Sequence, residues 1–140
     1  LCETFDGKVR NLNYKTIRYP GHGELMRFFF NELYMRDRRK EAGEILVNAK
    51  PPVKEDVVYI HVAVEGWKEE KLVREEFVRS YFPREIHART WKAISWTTAA
   101  SVSAVIELVS QGGLPHQGFL KQEDIPLDLF LNTPTGQFFK

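Results

Sequence analysis

One run of eight residues, Val57-Val58-Tyr59-Ile60-His61-Val62-Ala63-Val64, constrains this chain more than any other stretch. Alternation puts Val58, Ile60, Val62 and Val64 on one side and Val57, Tyr59, His61 and Ala63 on the other. Both sides are largely apolar, which predicts a strand placed centrally in a sheet with at least one face covered. Gly66 opens a polar turn through Lys71, and Leu72 to Tyr81 returns as the second strand of an antiparallel hairpin, with Pro83 ending it. Glu85 to Trp91 adds a third, shorter strand.

Around this hairpin the pattern is helical. Leu25, Phe28, Phe29 and Leu33 fall at helical spacing over Glu24 to Met35, with an acidic residue at the start and Arg36, Arg38, Arg39 and Lys40 at the end. A second helix covers Arg39 to Ala49 and stops before Pro51-Pro52. Ser95 to Gln111 is the longest helix. Its small residues Ala99, Ala100, Ser103 and Ala104 allow close approach of another backbone, and Gly112-Gly113 is its stop signal. Residues 9–19 alternate Tyr, Thr and Ile with polar residues and predict an extended strand broken by Pro20-Gly21-His22-Gly23. Ile125 to Leu131 is a short amphipathic stretch. With no repeat and no linker, residues 1–140 are expected to form a single α+β domain, a mainly antiparallel β-sheet with helices packed on it.

Composition removes several function classes. Residues 1–70 carry 12 basic and 12 acidic side chains and residues 71–140 carry 8 and 7, so neither half has the basic excess expected of a nucleic-acid partner. With 43% hydrophobic and 28% charged residues, wholesale disorder is excluded. Cys2 is the single cysteine, which rules out an internal disulfide and any multi-cysteine zinc site and fits a reducing, cytoplasmic setting. Ile94 to Gln111 contains four Ser, two Thr and Glu107 and reads as too polar to span a membrane, so a soluble protein is expected. The chain opens at Leu1 without Met, which suggests processing or a piece of something longer.

The chemistry-bearing residues narrow the field further. Gly21-His22-Gly23 is the single Gly-x-Gly, with Met26 where a third glycine would stand, and no Gly-Lys-Ser or Gly-Lys-Thr occurs, so no dinucleotide or phosphate cradle is read here. His22, His61, His87 and His116 are too dispersed for metal-ligand spacing. The serines lack a Gly-x-Ser-x-Gly elbow, and Cys2 at the terminus lacks a base.

Two stretches hold more promise. In Arg18-Tyr19-Pro20-Gly21-His22, Arg18 offers a planar fork for a carboxylate and His22 can titrate near neutrality. The plainer reading makes Arg18 a strand-end ion-pair partner and leaves the glycines to shape the turn. In Trp96-Thr97-Thr98-Ala99-Ala100, hydroxyls and free N–H groups at a helix start make a modest anion site. The plainer alternative is that Ser95 or Thr97 is an N-cap.

Three motifs in order, Lys15-Thr16-Ile17-Arg18-Tyr19-Pro20-Gly21-His22, Trp91-Lys92-Ala93-Ile94-Ser95-Trp96-Thr97-Thr98-Ala99-Ala100 and Gly113-Leu114-Pro115-His116-Gln117-Gly118-Phe119, resemble the C-terminal part of saccharopine dehydrogenases. The resemblance extends along essentially the whole chain, with residues 24–90 matching mainly in style.

It implies a two-domain NAD(P)-dependent oxidoreductase of lysine metabolism. An N-terminal Rossmann domain, absent from these residues, would bind NAD or NADP. An α+β domain of the glyceraldehyde-3-phosphate-dehydrogenase C-terminal type would bind substrate and form a homodimer. The implied reaction oxidises the secondary amine of saccharopine to an imine that water then cleaves to glutamate and aminoadipate semialdehyde. Saccharopine carries three carboxylates, which gives an arginine fork such as Arg18 something to hold.

By the same resemblance, Arg18 and His22 are candidate substrate contacts, Thr97 and Thr98 lie near the cofactor–substrate cleft, and no general acid or base is assigned. The chain by itself is expected to be inactive. A carboxynorspermidine dehydrogenase-like imine reductase and a non-catalytic, dimerising ligand-binding module are the alternatives.

Overall fold

The computed structural model describes residues 1–53 and 55–140. It has an α+β composition, with all strand pairing antiparallel in two two-stranded sheets among the described residues. The chain divides into two compact units, Leu1–Pro52 and Val53–Lys140.

The first unit is helical. After a single turn, α1 (Cys2–Phe5), residues 9–19 run exposed and in no strand, correcting the strand expected there. A strand needs a ladder partner, and no described residue of this unit supplies one. Gly21, at φ 81°, turns the chain into α2 (His22–Arg27). The helix expected over Glu24–Met35 therefore begins two residues earlier. It widens into a π-turn over Phe28–Glu32 and breaks at Tyr34, whose φ is 54°. Phe29 and Phe30 meet edge to face at 5.2 Å, whereas Phe28 stays over half exposed. The second predicted helix forms with its expected bounds as α3 (Arg39–Ala49), burying Ala42.

In the second unit β1 (Val58–Lys68) and β2 (Lys71–Tyr81) form a long hairpin whose register pairs Val58 with Tyr81 and Lys68 with Lys71. The connecting residues Glu69 and Glu70 have φ 50° and 64°, the backbone of a type I′ turn. Gly66 is therefore not the start of the turn, as expected, but a paired strand residue opposite Val73. The central position expected for Val57–Val64 is also corrected. β1 has one strand neighbour among the described residues, and Val62 and Val64 are 50% and 66% exposed. The expected third strand is itself a hairpin, β3 (Arg84–Ile86) against β4 (Arg89–Trp91), turning at His87-Ala88, again with both φ positive.

The core of this unit is built on α4 (Ala93–Ser110). Ala93, Trp96, Thr97, Ala100, Ala104 and Leu108 recur every three to four residues and form its buried stripe. Of the small residues noted in the sequence, Ala100 and Ala104 lie on that stripe, while Ala99 faces out. The helix ends as predicted at the glycines. Gly112, at φ 74°, donates its N–H to Val109 O (3.1 Å) and Gly113 to Leu108 O (2.8 Å), the two bonds of a Schellman motif.

The end of the chain folds against this helix. Trp96 meets Tyr81 and Phe139 at ring distances of 5.5 Å and donates its indole N–H to Phe82 O at 2.8 Å. A short helix, α5 (Leu127–Asn132), brings Phe130 to 5.7 Å from Phe139. Thr133, 2% exposed, donates to Phe130 O and accepts the N–H of Gly136, each at 2.9 Å. A Cβ on Gly136 would fall 1.8 Å from Phe130 O, so this tight return admits only glycine.

Candidate functional site

The two predicted site segments fall in different units. In the first unit Arg18 is exposed on the extended segment, and the chain then reverses at Gly21, with the His22 N–H donating to Tyr19 O at 3.1 Å. The reversal stacks the Tyr19 and His22 rings edge to face at 5.0 Å. His22 Nδ1 is buried there and has no hydrogen-bond partner among the described residues. Buried polar nitrogens are nearly always paired, so this ring atom is one that a ligand or water would satisfy.

In the second unit the start of α4 is organised differently from either sequence reading. Neither Ser95 nor Thr97 caps it. Lys92 occupies the N-cap position with extended backbone, and the carboxylate of Asp56 accepts the N–H groups of Ala93 (2.6 Å) and Ile94 (2.8 Å). Two orphan donors and the positive end of the helix dipole are thus already satisfied by a charge from the chain itself. Thr97 is buried and spends its hydroxyl on its own helix, donating to Ala93 O at 2.8 Å. Thr98 is exposed, and its carbonyl accepts from Ser101 Oγ at 2.9 Å.

Beside the capped helix start lies an open cleft of about 850 Å³ lined by Glu55, Asp56, Val57, Phe82, Pro83, Thr90 and Lys92. It joins two carboxylates, one ammonium, one hydroxyl and an aromatic ring. Thr97 and Thr98 are not among its lining residues. Sequence reasoning missed Asp56 because its partners are 37 and 38 residues away, and no local spacing rule reaches that far.

One face of the long hairpin carries a set of charged side chains in contact. Arg74 bonds Glu76 and lies 3.8 Å from Glu65, while His61 Nε2 lies 3.4 Å from Glu76. The Arg74 guanidinium, and after it His61, holds the Glu76 carboxylate below the ordinary glutamate range. Arg74 is raised in turn by Glu76. In α3 a backbone N–H holds Glu41 low, with Arg38 adding to it. His61, on the same face, is an exposed neighbour of the Glu76 carboxylate. Among the described residues no group of three or more His, Cys, Asp or Glu is placed to hold a metal ion.

By length and composition α4 is apolar enough to cross a membrane, with a mean hydropathy of 1.3 over 18 residues. The core helix of a folded domain passes the same criterion, and α4 carries the buried stripe of its unit. No protein-family model matches the chain, and no solved structure matches it.

Proposed function

We propose that this chain is the substrate-binding and dimerisation part of a saccharopine dehydrogenase-type oxidoreductase acting on the secondary amine of saccharopine. The observation that carries this reading is the ordered set of three motifs at residues 15–22, 91–100 and 113–119. The α+β composition with antiparallel strands is compatible with a substrate domain of the glyceraldehyde-3-phosphate-dehydrogenase C-terminal type.

The side chains suit the substrate. Saccharopine presents carboxylates, and the exposed Arg18 carries a guanidinium able to hold one through two parallel bonds. The unpaired His22 Nδ1, four residues on, supports a role for that ring in taking a polar group of the ligand. Of the two threonines, Thr98 has the exposed side chain and Thr97 the packed one, which suits Thr97 to positioning rather than contact.

The residues present do not fit a dinucleotide. Gly21 and Gly23 are preceded by no strand, followed by Met26 instead of a third glycine, and lead into a helix of six residues. The reading therefore assigns NAD or NADP to a separate Rossmann domain and gives no residue of this chain a part in hydride transfer.

The test is nicotinamide reduction by the full-length gene product, supplied with saccharopine and NAD+ or NADP+ in turn. Saccharopine-dependent reduction with release of glutamate supports the reading. A folded protein that binds nicotinamide yet leaves saccharopine intact would move it to a sister amine. Absence of nicotinamide binding would leave a non-catalytic binding module.

A further inference from the structure

We draw no further inference here: the strongest candidate, the open cleft beside the start of α4, carries none, because Asp56 spends both carboxylate oxygens on the amides of Ala93 and Ile94, Glu55 and Lys92 line it with opposite charges that select no class of ligand, and nothing in the structure shows what fills it.

Discussion

Asp56 holds Ala93 by a 2.6 Å hydrogen bond across 37 residues of sequence, tying the chain that enters the long hairpin to the start of the helix that carries the core. The other oxygen of the same carboxylate takes the next amide, Ile94. This is a long-range N-cap, and it satisfies two amides of the helix start with a charge from the chain itself. Asp56→Ala should destabilise the chain by about 1–2 kcal/mol, and Asp56→Asn, which keeps one acceptor, by less. Urea denaturation followed by circular dichroism measures both.

Trp96 has two roles, as the hub of the ring cluster and as a hydrogen-bond donor to Phe82 O. Trp96→Ala should cost about 3–5 kcal/mol through lost burial. Trp96→Phe keeps most of the apolar contact but leaves the Phe82 carbonyl without its donor, so a loss of about 1–3 kcal/mol is expected. Thermal unfolding of the two variants separates packing from hydrogen bonding.

Gly136 sits where a methyl group would collide with the Phe130 carbonyl. Gly136→Ala should therefore cost about 1–3 kcal/mol. It should also loosen the chain end, which is otherwise fastened by Thr133 and by Glu107 accepting the Thr135 N–H at 3.2 Å. Faster amide exchange at residues 133–140 is the readout, with α4 itself keeping its protection.

The ion network on the hairpin has a defined pH sense. Glu76 is held low by Arg74 first and His61 second, so its carboxylate favours the folded hairpin above the unfolded glutamate pKa. That contribution is lost as pH falls through the depressed folded value, below the ordinary glutamate range. Being exposed, it is small in stability terms. A carboxyl NMR titration should place the Glu76 midpoint below that of a free glutamate, and Arg74→Ala should return it upward.

Periodicity made much of this architecture legible. α3 forms with its predicted bounds, the Val-rich strand and its antiparallel return are where alternation places them, and Gly112-Gly113 ends α4 as read. The turns were less visible, because Glu69-Glu70 and His87-Ala88 adopt left-handed backbone without the Gly or Asn that normally announces it. Residues 9–19 alternate without forming a strand, because alternation reports a side-chain pattern, not the presence of a ladder partner. At the candidate site, the arginine and histidine could be named from the turn that carries them. The capping of α4 by Asp56 and the diversion of the Thr97 hydroxyl into its own helix could not, since both depend on contacts made only once the chain has folded.

Saccharopine binding to the full-length protein, measured by calorimetry for the wild type and for Arg18→Gln, tests the central claim most directly. The account predicts saturable binding by the wild type and a loss of about 10- to 100-fold in affinity when the charged fork is removed. Absence of saccharopine binding by the folded wild type, or equal affinity in the variant, would contradict it.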